Sequence, residues 1–110
     1  MARSTRTAQV VTSAGLTEAF TAADAAGEQM AYNGRRALHV KNGNAGVCNV
    51  TISNPVLIDG QAAPNRVVAV PATTGDKIIG LQNSVYLQAD GNVYVDYSLT
   101  ATVTVALIEI

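Results

Sequence analysis

The chain has 110 residues, the usual size of one domain with one hydrophobic core. Seven Lys and Arg residues against eight Asp and Glu residues give a net charge of -1. This balance argues against a general nucleic-acid binder, because binding to phosphates requires a basic surface. Only 14% of the residues are charged, against about a quarter in an average soluble domain, and this favours a protein that packs against other proteins.

The sequence also lacks the apolar segments of a membrane protein and of a secreted protein. No run approaches the roughly 20 apolar residues that span a bilayer, so no membrane partner is expected. The N-terminal residues lack the long apolar stretch of a secretion signal, so we expect synthesis and folding in a cytoplasm. Cys48 is the only cysteine, which excludes an intrachain disulfide, and its position in a predicted strand indicates a small buried side chain.

Residues 1–7 are polar and basic, with Arg3 and Arg6 and no acidic residue before Glu18. The pattern predicts an arm that orders on a partner surface, with a frayed terminus as the alternative. We therefore divide the chain into an N-terminal arm, residues 1–7, and a single domain, residues 8–110.

The next segment, residues 16–26, reads LTEAFTAADAA and favours helix by propensity. It is short and ends at Gly27, and an isolated helix of this length is marginal in water. We expect an irregular segment with one helical turn around residues 19–25. Phe20, the only phenylalanine, is expected to pin this segment to the core.

Short strand candidates separated by turns occupy the middle of the chain. Strands are predicted at residues 8–12, 29–32, 36–41, 47–53, 66–70 and 77–81. Turns are predicted at Asn33-Gly34, residues 42–46 and Asp59-Gly60, because Gly and Asn accept the positive φ of tight turns. Residues 73–76 are predicted as loop. Residues 56–58 form a brief apolar run, and residues 61–65 are predicted as loop. Turn signals every 8 to 12 residues are typical of a β-sandwich or barrel.

The last third of the chain carries the clearest strand pattern. Residues 85–87 lead into Asp90-Gly91, a dipeptide typical of a tight hairpin. Val93, Val95, Tyr97 and Leu99 then alternate with polar residues, which predicts one row facing a core and places Tyr94 on the opposite face. A second alternating run, residues 103–107, predicts a C-terminal strand that docks in the sheet or in a neighbouring subunit.

Candidate catalytic or metal-binding residues are few. His39 is the only histidine and lies in a predicted strand, so a structural role is expected and a His-rich metal site is excluded. Asp90, Asn92 and Asp96 lack the spacing of a calcium loop, and the glycines lack that of a phosphate-binding loop. We assign no catalytic, cofactor-binding or metal residue and expect no enzyme. Arg35 and Arg36, beside a turn, form a candidate basic knob.

The order of these segments resembles a known class of proteins. A basic start at residues 6–11, the segment 14–17, Asn33-Gly34 before the strand 38–42, and the segments 75–80, 90–95 and 103–108 carry the likeness. Taken together they resemble the small structural proteins encoded among the head genes of tailed bacteriophages, which act as capsid decoration or head-stabilising proteins.

The resemblance implies an all-β fold: one small β-sandwich or jelly-roll-like domain, present in many copies on the capsid exterior. It implies a protein of the virion that binds the major capsid protein and copies of itself, often as a trimer, and that stabilises the expanded head. From the charge balance and the missing motifs we expect no cofactor and no specific nucleic acid. The expected contacts with capsid or neighbour come from Arg3, Arg6, Arg35 and Arg36.

Three other functions stay open on the sequence alone. A tail or neck component of the same virion would have the same composition. A carbohydrate-binding or adhesion module would place Tyr94 and its neighbours along an exposed groove. A small enzyme would need a pocket in which His39 meets a nucleophile and a carboxylate.

Overall fold

The computed structural model describes residues 3–109, and within them the fold is almost entirely β. The all-β prediction is confirmed. The one helical element of this range is a short 3-10 helix, Ser84–Tyr86, and no helix is long and apolar enough to cross a membrane. The strands are β1 (Ser4–Thr5), β2 (Gln9–Val10), β3 (Thr21–Ala22), β4 (Glu28–Ala31), β5 (Arg36–Asn42), β6 (Cys48–Ile52), β7 (Leu57–Ile58), β8 (Gln61–Ala62), β9 (Arg66–Val70), β10 (Gly75–Gly80), β11 (Asn92–Tyr97) and β12 (Val103–Glu109).

Two five-stranded sheets share one core. Sheet A has the order β1-β4-β11-β6-β9, and sheet B has the order β10-β5-β12-β2 with β3 also paired to β12. Strands β7 and β8 form a separate two-stranded hairpin between β6 and β9. The chain passes from one sheet to the other between β1 and β2 and between β3 and β4. It passes again at each connection from β4 to β6 and from β9 to β12. The fold is a β-sandwich.

The core lies between the inward rows of the two sheets. Val93 and Val95 of β11 are fully buried, as are Leu38 and Val40 of β5 and Val105 of β12. Tyr97 and Leu99 pack against the same cluster. The alternating pattern of the last third therefore predicted the inward row correctly, because successive side chains of a strand point to opposite faces.

The C-terminal strand lies inside sheet B. β12 pairs with β5 from Val103, opposite Asn42, to Glu109, opposite Arg36. Its other edge pairs with β3 and β2. The prediction of a docked C-terminal strand is confirmed for residues 103–109, and Ile110 lies outside the described residues.

The predicted hairpin at Asp90-Gly91 is wrong in one of its two strands. Residues 84–86 form a 3-10 helix, and the Asp90-Gly91 turn connects this helix to β11. The side chain of Asn83 accepts a hydrogen bond from the Val85 N–H at 3.1 Å. This cap satisfies a helix-terminal donor and starts the helical turn.

The segment 16–26 is irregular, as expected, but the predicted helical turn is absent from it. Residues 21 and 22 form β3 instead and pair with β12. The Gln9 side chain holds the backbone N–H and C=O of Ala19 at 2.9 Å each. Phe20 lies against the outer face of sheet B, over His39 and Lys41, and not in the core. Pairing with β12 gives backbone N–H and C=O groups the hydrogen bonds that they would lack in so short a helix.

Residues 3–7 of the predicted arm lie along sheet A. β1 pairs in parallel with β4, Ser4 opposite Glu28 and Thr5 opposite Gln29. The Ser4 N–H donates to Gly27 O, and the Arg6 N–H donates to Gln29 O at 2.9 Å. Met1 and Ala2 lie outside the described residues, and the division of the chain after residue 7 stays a prediction.

Candidate protein-contact surface at one end of the sandwich

Several long connections between strands lie at one end of the sandwich. β4 ends at Ala31, opposite the start of β11, and β5 begins at Arg36, opposite the end of β12. β6 runs antiparallel to β11 and β10 runs antiparallel to β5, so both also end here. We call this the hairpin end. It comprises residues 10–11, 33–36, 54–65 and 82–88.

The hairpin of residues 54–65 continues the β6–β9 pair beyond the body of the sandwich. At its foot the Asn54 N–H donates to Asn65 Oδ1 at 2.8 Å, and the Ala63 N–H donates to Val56 O at 3.0 Å. Asp59 and Gly60 form the tip with φ of 54° and 79°, the left-handed pair of a tight two-residue hairpin turn. The turn predicted at this dipeptide is confirmed.

The tip of this hairpin is apolar and exposed. The side chains of Leu57 and Ile58 are 66% and 64% exposed, and every residue from 55 to 62 is exposed. Large apolar side chains favour burial by about 1.5–3 kcal/mol each. A two-stranded hairpin with no further packing is marginally stable in water, so this element is suited to contact with another surface.

Other exposed apolar side chains lie at the same end. Within residues 3–109, most large apolar residues that face solvent belong to the hairpin end: Val10, Val11, Val56, Leu57, Ile58, Val85 and Leu87. Val47 lies at the opposite end, and Val67 and Ile78 lie on β9 and β10. Clustering of exposed apolar residues marks a protein contact, whereas scattered ones need no explanation.

A groove lies at the foot of the hairpin, between the edge strands β9 and β10. Its volume is about 250 Å³. Among the described residues, Arg66 supplies the only charged side chain along it, and its Nε donates to Tyr86 Oη at 3.5 Å. The lining residues are Ile52, Arg66, Val68, Ile79, Gly80, Asn83 and Tyr86.

Arg35 and Arg36 also lie at the hairpin end and both contact Glu109. Arg36 Nε is 2.9 Å from Glu109 Oε1, and Arg35 Nη2 is 3.4 Å from Oε2. The hydrogen bond from Arg36 lowers the pKa of Glu109 below its usual value, and the bond from Asn33 adds to this against partial desolvation. The Arg35 side chain is 66% exposed, so its charge is available to a partner.

Arg3 and Arg6 lie far from this end. Arg3 forms two hydrogen bonds with Asp96, at 2.7 and 3.1 Å, and its guanidinium lies 4.6 Å from the centre of the Tyr94 ring. Arg6 contacts Glu28. The structure therefore separates the four predicted contact arginines into two pairs, and the first pair holds residues 3–7 on the body. That any of the four contacts another molecule stays a prediction.

Glu28 is a buried carboxylate that the sequence analysis did not single out. Arg6 Nε and Nη2 donate to it at 2.5 and 2.6 Å, and Tyr97 Oη donates at 2.6 Å. Burial raises the pKa of Tyr97, and the Glu28 charge raises it further. The alternation of β4 gave a usable signal, since Glu28 shares the inward row with Met30.

His39 lies on the outer face of sheet B between two carboxylates. Its Nδ1 is 2.8 Å from Glu18 Oε2, and its Nε2 contacts Asp76. Burial lowers the pKa of His39, but the hydrogen bonds that its ring donates to Asp76 and Glu18 outweigh burial and raise the pKa overall. Among the described residues no Ser, Thr or Cys side chain hydrogen-bonds to this ring.

The other candidate residues of the sequence analysis have structural contacts. Cys48 is buried, with Sγ 3.4 Å from Leu99 O. Tyr94 faces outward, as predicted, but Arg3 covers one face of its ring and its Oη donates to Asp90 at 2.5 Å. Residues 3–109 contain no group of three His, Cys, Asp or Glu side chains placed to hold a metal ion.

Comparison with known proteins found no relative of this chain. No protein-family model, no curated protein and no solved structure matches the chain.

Proposed function

We propose that this protein is a structural component of a tailed-bacteriophage virion that binds the outer surface of the capsid and stabilises the expanded head. Its partners are the major capsid protein and copies of itself, with a trimer as the favoured assembly. The proposal combines the sequence resemblance with one structural observation. That observation is the hairpin end, where Leu57 and Ile58 are exposed on a molecule that buries most of its other large apolar side chains in one core.

The chemistry of the hairpin end suits a protein partner. Burial of its apolar side chains against a partner lowers the free energy in proportion to the buried area. The exposed Arg35 guanidinium can donate two parallel hydrogen bonds to a carboxylate of a partner. An apolar centre with a charged rim is the usual composition of a specific protein interface.

Many weak contacts stabilise a shell when they are linked. An oligomer that bridges several capsid subunits holds them together, because their separation would break all of its contacts. Binding to the expanded shell alone stabilises that state by mass action. A modest contact from each small copy is therefore sufficient for the proposed role.

The test is binding to empty capsids of the phage whose genome carries this gene. Purified protein is mixed with expanded and unexpanded capsids, and occupancy is measured by co-sedimentation. We expect saturable binding to expanded capsids, reduced at least tenfold in Leu57→Ser/Ile58→Ser and unchanged in Val47→Ser, which alters an exposed apolar residue at the opposite end. Absence of binding to either capsid would overturn the proposal.

A second measurement separates the head from the tail. Electron microscopy of virions labelled with antibody against this protein should show label around the head. Label confined to the tail or neck would replace the proposal by the alternative of a tail or neck component.

A further inference from the structure

The hairpin of residues 54–65 has a simple chemical composition. Its sequence, NPVLIDGQAAPN, contains one charged residue, Asp59, at the tip. Leu57 and Ile58 directly precede Asp59 and are largely exposed. A complementary surface must therefore carry a cation beside some apolar area.

The groove between β9 and β10 carries the opposite charge. Its lining is mixed: Asn83, Tyr86 and Arg66 supply polar atoms, Val68 supplies apolar ones, and Ile52 and Ile79 below are almost fully buried. Arg66 is the single charge among the described lining residues. The Arg66 guanidinium makes one hydrogen bond among the described residues, through Nε to Tyr86. Its remaining N–H groups form a fork that suits a carboxylate.

A copy cannot place its tip in its own groove. Arg66 begins β9 at the foot of the hairpin, and Asp59 lies at the far end of the same hairpin. At about 3.3 Å per extended residue, the two are on the order of 20 Å apart. The occupant of the groove must therefore come from another molecule.

We infer that the hairpin tip of one copy docks in the β9–β10 groove of a second copy, with Asp59 paired to Arg66. The inference rests on the self-association that the proposed function includes and names the surface that produces it. Leu57 and Ile58 would then lie beside Val68 of the neighbour. The loss of capsid binding expected for Leu57→Ser/Ile58→Ser would follow from the loss of the linked contacts that the oligomer makes. A head-to-tail contact of this kind can close into a trimer with one pairing per interface, and a two-fold dimer would contain two reciprocal pairings. Arg35, which is exposed beside Glu109, lies outside this contact in either case.

Charge reversal tests this pairing. The protein is studied by light scattering and sedimentation equilibrium as wild type, Asp59→Arg, Arg66→Asp, and the double variant. We expect each single reversal to weaken self-association at least tenfold, because two like charges would face each other. The double variant should recover to within about threefold, since the pair is restored with exchanged signs. Lys77→Asp reverses an exposed charge outside the groove and should leave the mass unchanged.

The outcomes separate this inference from the proposed function. Asp59 and Arg66 are both exposed, so the variants should fold, which thermal unfolding checks. Equal masses for wild type and both single variants would overturn the inference, as would a double variant that stays dissociated. A monomeric wild type that still binds capsids would overturn the inference and leave capsid binding standing. An oligomer that follows the charge pattern but ignores capsids would support the inference and remove the proposed function.

Discussion

The guanidinium of Arg6 and the carboxylate of Glu28 form a two-point ion pair at the edge of the core. The distances are 2.5 Å from Nε to Oε1 and 2.6 Å from Nη2 to Oε2, and the Glu28 side chain is only 1% exposed. Glu28 opens β4, and Arg6 follows β1 directly. The pair therefore fixes the N-terminal segment to sheet A from inside the molecule.

Replacement of Arg6 by Met should destabilise the protein strongly. The variant would leave Glu28 buried with hydrogen bonds only from Tyr97 Oη and the Asp24 N–H, and an uncompensated buried charge costs about 3–5 kcal/mol. The free energy of unfolding in urea measures this. The double variant Arg6→Met/Glu28→Gln should recover much of the loss, because it removes the charge as well. A loss below about 0.5 kcal/mol in the single variant, the range of neutral surface substitutions, would contradict this account.

The His39 contacts predict a pH dependence of stability. The folded-state pKa is raised above the ordinary 6.5, so the imidazolium contributes its full stabilisation below about pH 6.5. That contribution is lost as the pH rises through the folded-state pKa. Glu18 and Asp76 face the ring, and Lys41 lies nearby over Phe20. The difference in unfolding free energy between wild type and His39→Gln should therefore shrink from acidic to alkaline pH. A difference that does not vary with pH would show that the two carboxylates do not hold the imidazolium.

Gly27 and Gly91 offer a matched pair of substitutions. Their φ values are 89° and 88°, so replacement by Ala imposes the same backbone strain, about 1–2 kcal/mol. A Cβ at Gly27 would also overlap the Arg3 guanidinium and the Asp96 carboxylate, whereas one at Gly91 would meet open space. Because flexible side chains can move aside, the extra cost is that of the displaced ion pair, about 0.5–1.5 kcal/mol.

The Arg3→Ala background provides the control for this comparison. Without the Arg3 side chain, Gly27→Ala should cost about the same as Gly91→Ala, measured by chemical unfolding. Equal costs of the two glycine substitutions in the wild-type background would mean that the Arg3 and Asp96 contact adds nothing to stability.

Local patterning predicted the strands that build the core. Apolar residues at every second position identified β11 and β12, and Gly and Asn marked the turns between neighbouring strands. Those features depend on a few adjacent residues, so the sequence displays them directly. The two-residue strands β1 and β3 have no such signal, because their positions depend on partners elsewhere in the fold.

The surface features were harder to predict for the same reason. The His39 cluster joins residues 21 and 37 positions away from the histidine, and no local spacing reports such a meeting. The apolar run at residues 56–58 was visible in the sequence, but the projection of this run from the body of the sandwich was not. That follows from the way β7 and β8 extend the β6–β9 pair through the Asn54 and Asn65 contact. The arginine contacts proposed with other molecules stay predictions, and Arg35 is the most exposed of the arginines whose ion pairs are described above.

The last prediction concerns Asn42. The nitrogen of its buried side-chain amide faces acceptors, and the oxygen faces a donor. Its Nδ2 lies 2.9 to 3.2 Å from three carbonyl oxygens, those of Gly46, Val70 and Pro71, while its Oδ1 accepts from the Asn44 N–H. Asn42→Asp keeps the shape but turns a carboxylate oxygen toward the three carbonyls. We expect a loss of more than about 3 kcal/mol, larger than for Asn42→Ala, because a buried charge would lack a partner.

The pH dependence of this variant provides its check. A protonated carboxyl can donate one hydrogen bond to a carbonyl, so the folded state should favour the protonated form and the pKa of the new carboxyl should lie above that of the unfolded chain. The penalty of Asn42→Asp relative to wild type should then decrease as the pH is lowered toward 4, whereas that of Asn42→Ala should stay constant. Urea unfolding of both variants at several pH values measures the difference. Parallel pH profiles for the two variants would show that the amide does not face the carbonyls in solution.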